Sequence, residues 1–513
     1  MTILFSMRHA GALRNFASTL EALARRGHRV HLTFLTRDKL DDGRVLNDLT
    51  SRYSGITSGG ITAVPRSRWL GLVRHVRALA DYTRYGAPEF AQAHALRQRA
   101  ETRVPMRLRR LLRLPLFKWP SGRRLITAML AAIERAVPPD ATAMRVIREH
   151  EPDLVLITPL VDLGSDQIEY VKAARQLGVR TGLCVHSWDN LTTKGLIGLM
   201  PDGIFVWNEA QRREAITLHG AAAGQVTVTG APVYDQWFER RPNSGRAEFC
   251  ARVGLADERP FFLYLCSSPF IAPDEVSFIT RWVTAVRSAS DPEVRRAGIL
   301  IRPHPSADPA IWATFDAARF DNVVVWPAGG ANPVDAASKS DYFDSMYHAA
   351  AAVGINTSAQ IEAGIVGRRV YSVRVPECVG TQEETLHFQY LLQESGGLLH
   401  MAGTLHEHVA ALGGALGRDA GGAARLREFV RGFVRPAGLD VPATPSLVEA
   451  IEDLGRQPAT APGRLPIRIR LLRVALFPLA ALMPAKPGKV RSPASRSVGT
   501  DGIADHRRAK AGA

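Results

Sequence analysis

The chain has 513 residues, 46% of them hydrophobic and 22% charged, and a formal net charge of +16. That length exceeds one ordinary core and predicts two domains with extensions, and that composition excludes a disordered or fibrous chain. The charge is local: Arg66 to Ala136 holds sixteen Lys+Arg against four Asp+Glu, a balance of +12, and Arg464 to the end holds eleven against two, +9, which leaves −5 for the rest. A basic coat over the whole molecule is thus excluded, and general nucleic-acid binding with it; two local contacts with something anionic are expected instead.

In chain order, Ile3–Ser6 is a short apolar strand. The run from Met1 to Met7 is too short for a secretory segment, and Arg8 and Arg14 break the apolar character beyond it. A helix over Leu13–Arg26 places Phe16, Leu20 and Leu23 on one face, Gly27-His28 stops it, and Val30–Leu35 is a second strand. The first turn, with Arg8, His9 and Asn15 in it or just after it, then lies at the carboxyl edge of a parallel sheet, where open α/β folds bind ligands. Arg66–Ala136 breaks the rhythm. It reads as a helical insertion rich in arginine, with Trp69, Trp119 and several leucines, the mixture an interfacial helix needs on an anionic bilayer; the alternative is a helical insertion with a solvated basic face.

The alternation then resumes. Strands are predicted over Asp153–Thr158, Val179–Val185, Gly203–Trp207 and Val226–Thr229, with helices over Gln167–Leu177 and Asn208–His219, and Gly230–Asp235 leads into a linker. The second half opens with a helix near Ser244. Strands follow at Pro260–Cys266, Gly298–Arg302 and Asn322–Trp326, with helices at Val276–Val286 and Asp344–Ala351. Val353–Val373 reads as strand, polar turn, short helix, loop and strand. Residues 464–473 are basic and apolar; Val474–Ala485 is apolar, its twelve residues too few to span a bilayer as a helix but enough for a peripheral anchor, and the last segment is expected to be disordered. The predicted fold class is therefore α/β: two Rossmann-like parallel-sheet domains facing a cleft, residues 1–235 (with the insertion 66–136) and 244–455, with a tail, 456–513, beyond them. Four widely spaced cysteines (Cys184, Cys250, Cys266, Cys378) form no metal-ligand pattern and fit reduced thiols in a cytoplasm.

Candidate chemistry sits where strands end. Arg302-Pro-His-Pro305 comes directly after a strand, and its prolines stiffen a turn in which Arg302 can clamp phosphate oxygens and His304 can donate to a phosphate or a sugar hydroxyl; alternatively Arg302 pairs with a carboxylate. Asn356, Thr357 and Ser358 stand where a helix begins, placed for phosphate, and Glu362 lies one turn on, placed to accept hydrogen bonds from a ribose; they also read as a plain cap and a solvated acid. The loop His186–Gly195 packs His186, Trp188, Asp189, Asn190 and Lys194 together. Asp189 or His186 is a candidate general base, the others candidate acceptor or sugar contacts, while the alternative has Asp189 capping a turn and Trp188 filling the core. Arg8, Asn15, Glu383, Glu384 and His387 are further candidates for acceptor or sugar contact. No phosphate-binding loop, zinc spacing, serine-hydrolase elbow or Gly-x-Gly-x-x-Gly fingerprint occurs, so neither metal nor cofactor is indicated.

The two βα halves, the exit Gly230–Asp235, Arg302-Pro-His-Pro305 and Asn356–Glu362 together resemble the GT-B glycosyltransferases. The likeness is closest to bacterial surface-polysaccharide enzymes and more distant to the non-hydrolysing UDP-N-acetylglucosamine 2-epimerases, and it covers roughly residues 1–455. It implies a metal-independent glycosyltransferase of polysaccharide or glycolipid synthesis, cytoplasmic and peripheral on the inner face of the cytoplasmic membrane. The donor nucleotide sugar would bind Arg302, His304, Asn356, Thr357, Ser358 and Glu362. A lipid-linked or glycan acceptor would bind the first half, and an anionic membrane surface Arg66–Ala136 and Arg464–Ala485. Alternatives are a nucleotide-sugar 2-epimerase, a CDP-alditol phosphotransferase and a non-enzymatic membrane-bound assembly protein. The chain departs from the pattern in lacking a glycine cluster in its first turn, in having no match to the epimerases' catalytic acids, and in the insertion.

Overall fold

The computed structural model describes residues 1–37, 43–62, 67–110, 114–417, 420–459, 461–463 and 465–483. The last segment, expected to be disordered, as well as Arg66, Arg464 and Ala485, lies outside the described residues. Seven strands form the first sheet: β1 (Thr2–Met7), β2 (Arg29–Phe34), β3 (Ile56–Ile61), β4 (Leu154–Thr158), β5 (Arg180–Cys184), β6 (Gly203–Val206) and β7 (Val226–Val228). Six form the second: β8 (Phe261–Leu265), β9 (Gly298–Arg302), β10 (Val323–Val325), β11 (Ala351–Val353), β12 (Arg369–Val373) and β13 (Leu399–Ala402). All pairings are parallel, in the orders β3-β2-β1-β4-β5-β6-β7 and β10-β9-β8-β11-β12-β13. The central strands β4, β8 and β9 are buried along their whole length, as sheets covered on both faces require.

Where the pattern is weak, the elements differ from those expected. β3 (Ile-Thr-Ser-Gly-Gly-Ile) buries only Ile56 and is absent from the expected strands, being an edge strand with little apolar patterning. The expected helix Leu13–Arg26 is a 3-10 segment, Ala10–Asn15, and then an α-helix, Ala17–Arg25. The helix expected at Asp344–Ala351 runs instead over Ala336–Tyr347, begun by Asp335, whose carboxylate accepts from Ser338 N–H, and Ala351 already belongs to β11.

One helix crosses back. Ala443–Arg456, expected in the second domain, packs on the first sheet, with Leu447, Val448, Ile451 and Leu454 in the core of Ile3, Phe5 and Leu20. Asp235 anchors its start: the carboxylate receives Ala443 N–H (3.0 Å) and Thr444 N–H (2.7 Å) and pairs with buried Arg435 (2.8 Å). A shared apolar cluster, from Trp188, Trp207 and Trp237 to Phe343 and Phe433, joins the two halves.

The insertion is helical, as expected, with its longest helices at Leu70–Arg84 and Pro120–Ala136. Not all its cations face solvent. Arg77 is buried against Glu134 (2.8 Å), Glu169 and Asp166, and Lys172 joins Glu134 and Glu169. Burial alone would disfavour the charge; the carboxylates outweigh it, raising Arg77 and holding Glu134 down to about 2. Trp69 is buried, whereas Trp119 is 62% exposed. No described helix is long and apolar enough to cross a membrane.

Candidate active site in the interdomain cleft

Strand order reverses beside the first strand of each sheet, between β1 and β4 and between β8 and β11. Crossovers leave such a point on opposite faces, so a crevice opens at the carboxyl ends of the strands. The crevices of the two sheets combine in one cleft of about 580 Å³, within the range for a nucleotide-sized ligand.

The second domain supplies one wall. At the end of β9 Arg302 is only 6% exposed; its Nη1 donates to Asp341 Oδ2 (3.0 Å) and Ser345 Oγ (3.4 Å), and its guanidinium lies over the Tyr342 ring at 5.0 Å. Arg302 is thus a paired cation in the cleft wall, held by a carboxylate as its alternative reading allowed, and it still lines the cleft. His304 Nδ1 accepts from Ser306 N–H (3.1 Å), and burial, with Arg14 nearby, lowers its pKa to about 4. The neutral ring thus carries its proton on Nε2 as a donor. After β11, Gly354 passes so close to β8 that a Cβ would stand 2.7 Å from the Leu265 carbonyl oxygen. Asn356, two residues on, does not line the cleft; it is buried, donating its N–H to Ser267 Oγ (3.2 Å) and its amide to the Thr381 carbonyl, so it fixes the turn. Thr357, Ser358 and Glu362 do line the cleft. Glu362 Oε2 accepts from Tyr342 O–H at 2.6 Å, and burial pushes the carboxyl up to about 7 against the opposing pull of Tyr342 and Arg14.

The first domain supplies the other wall: Asn15 and Arg14 after β1, His186 and Trp188 after β5. His186 Nδ1 lies 3.0 Å from Thr158 Oγ1, and burial, then Lys194, lowers it to about 4. Asp189 does not line the cleft: its carboxylate accepts from Ser187 O–H (2.5 Å) and Thr193 O–H (2.9 Å). Burial would raise it, but Lys194, His387 and those hydroxyls hold it well below the usual carboxylate range. It orders its loop and is poorly placed as a general base, a correction to the expectation.

Other candidates also serve the frame and do not line the cleft. Arg8 pairs with Asp162 (2.6 Å) and Glu383 with Arg374 (2.6 Å). Asn190 is buried and accepts from His186 N–H (3.2 Å). The Lys194 carbonyl receives Arg84 and Tyr85 O–H. Glu384 stands near Gly380, away from the cleft. His387 is buried where the halves meet, 3.2 Å from Thr192 Oγ1 and edge-on to Trp188. Sequence reasoning missed Tyr342 and Asp341, because it misplaced their helix, and the cleft cations Arg14, Arg240 and Lys339. Among the described residues no carboxylate stands within ion-pair distance of these three cations. Burial, then Arg240, lowers the Lys339 pKa. No group of three potential metal-binding side chains occurs among the described residues.

No family model matches the sequence, and no curated protein matches it. Solved structures do. MnaA of S. aureus, solved with UDP, superposes with a TM-score of 0.52 at 13% identity, over 91% of this chain and 100% of that one. A glycosyltransferase from Rickettsia africae superposes with 0.52 at 10% identity, over 89% and 99%. A UDP-GlcNAc 2-epimerase from Methanocaldococcus jannaschii gives 0.49 at 12% identity, over 88% and 99%. The likeness to the first two of these, with two parallel sheets of seven and six strands meeting at a cleft, identifies the architecture: the chain has the two-domain GT-B fold.

Proposed function

We propose that the protein is a glycosyltransferase that moves a sugar from a nucleotide-sugar donor to a membrane-associated acceptor in surface polysaccharide or glycolipid synthesis, working on the inner face of the cytoplasmic membrane. The observation that carries the donor half of this reading is the Tyr342–Glu362 pair, 2.6 Å apart in a cleft that also presents Arg14, Arg240 and Lys339. A ribose diol matches the carboxylate as acceptor, and a diphosphate matches the cations, Ser358 and the Nε2 donor of His304. The acceptor enters from the first domain beside Asn15 and Trp188.

His186 is the proton acceptor for the incoming hydroxyl, since it is neutral at physiological pH and lines the cleft where Asp189 does not. As the glycosidic bond to the diphosphate breaks, Arg14 and His304 meet the charge growing on the leaving oxygen. Thermal shift with a panel of nucleotide sugars, and then transfer to a lipid extract, tests the reading. Binding without transfer and with change of the donor sugar alone would favour a nucleotide-sugar 2-epimerase, the reading that a near-neutral Glu362 also suits.

A further inference from the structure

The two basic, apolar segments are distant in sequence and joined in space. The helix Ile467–Leu482 lies on the insertion helices Leu70–Arg84 and Pro120–Ala136, sharing one core in which Leu476 and Ala480 meet Trp69, Val73 and Leu130. Phe477 stands edge-on to Trp69 at 6.0 Å. Having buried that face, the helix still carries a second apolar stripe. Ile467, Leu471, Val474 and Leu482, spaced as on one side of a helix, are 68%, 64%, 71% and 81% exposed. Neighbouring elements of the insertion add Trp119 at 62% and Leu125 and Met129 at 54% each. A surface helix with both faces apolar leaves one face to be covered by something else.

Charge says what. Arg107, Arg110, Arg124, Arg468 and Arg470, in the same two segments as these apolar groups, are exposed as well. From Val104 to Ile133 and from Leu465 to Met483 the sequence has no Asp or Glu. Interleaved cations and large apolar side chains, with no acid between them, match the headgroup and upper acyl region of an anionic bilayer and not a protein groove, where exposed charge would need acidic partners.

We infer that the insertion and the C-terminal helix form one composite face that docks on an anionic phospholipid bilayer. The inference deepens, and rests on, the reading of a membrane-held acceptor. The face is also tied to the cleft. At the end of helix Leu70–Arg84, Arg84 donates to the carbonyls of Leu191, Lys194 (2.9 Å) and Gly195 (2.8 Å), and Tyr85 O–H donates to Lys194 (2.5 Å). Those carbonyls belong to the loop that sets His186 and Trp188 in the cleft wall. A docked protein thus holds the acceptor side of its cleft at a fixed height over the bilayer.

Flotation of the full chain with phosphatidylglycerol/phosphatidylethanolamine vesicles tests this, against phosphatidylcholine vesicles and at two salt concentrations. The protein is expected to float with the anionic vesicles and to be released by salt. Leu471→Ser with Val474→Ser, and separately Trp119→Ser, should lower the partition by at least about tenfold, with melting temperature and nucleotide-induced thermal shift unchanged because these side chains point outward. Failure of the parent to float, or parent-like flotation of both variants, overturns the inference. So does a dimer that the variants dissociate, without vesicle uptake. A protein that shifts with nucleotide but ignores vesicles refutes the docking face and leaves the cleft reading standing; the reverse result separates them the other way.

Discussion

Replacing Glu362 by Gln should make the empty protein more stable at alkaline pH and a worse nucleotide binder. The carboxyl is raised from an ordinary 4.5 to about 7 by burial. A raised carboxyl favours folding while it is protonated in the native state; that contribution is complete below the unfolded value and is lost as pH rises through 7. At pH 8 the native protein therefore holds a poorly solvated carboxylate, at a cost of up to about 3 kcal/mol for a shift of this size. Gln keeps an oxygen for the Tyr342 O–H and removes the charge, so the melting temperature at pH 8 should rise by roughly 5 °C, with little change at pH 5. Nucleotide affinity should move the opposite way. Losing charge-assisted hydrogen bonds to a ribose costs about 1.5–3 kcal/mol, at least tenfold in Kd. Melting curves at the two pH values and titration calorimetry at pH 8 read both effects. A variant no more stable than the parent at pH 8, or one that binds nucleotide sugar as tightly as the parent, would refute the reasoning.

The same contacts give four further expected outcomes. Arg14→Ala should weaken nucleotide-sugar binding most at low salt, with little effect on melting, since Arg14 faces the cleft and among the described residues makes only a long 3.4 Å hydrogen bond to Asn332; a salt-independent loss would point to a structural role. Asp341→Ala should destabilise the second domain by roughly 3 kcal/mol, because it strands the buried Arg302, whereas Asp189→Asn should leave turnover far closer to the parent than His186→Ala does; urea unfolding and single-turnover transfer measure the two. Deleting residues 465–513 should lower the melting temperature as well as membrane uptake, because Trp69 and Leu130 lose their cover; an unchanged melting temperature contradicts the shared core.

The sequence carried the parallel architecture well, because fully buried strands such as Leu154–Thr158 and Phe261–Leu265 are continuous apolar runs. It did not reveal the edge strand Ile56–Ile61, where one buried side chain leaves no period to read. The return of Ala443–Arg456 to the first sheet was invisible too: its apolar face fits either domain, and Asp235, more than two hundred residues away, decides between them. In the cleft, Ser358, Glu362, His304 and His186 were legible as polar groups at strand ends. Tyr342 was not, since its helix lacks a strong apolar stripe and its start rests on a single cap, Asp335. The crowded loop at His186–Gly195 drew attention to Asp189, yet crowding arises equally when a loop must satisfy its own buried groups, which is what Ser187, Thr193 and Asn190 do there.

The central claim is that the cleft between the sheets binds a nucleotide sugar through its second-domain wall. Thermal shift across uridine, cytidine, guanosine and thymidine diphosphate sugars measures it most directly. At a hundredfold excess over Kd one family of donors should stabilise the parent by about 2.7 kcal/mol, and Glu362→Gln should blunt that response to the same donor. No shift with any of them, or an undiminished shift in the variant, would contradict the account.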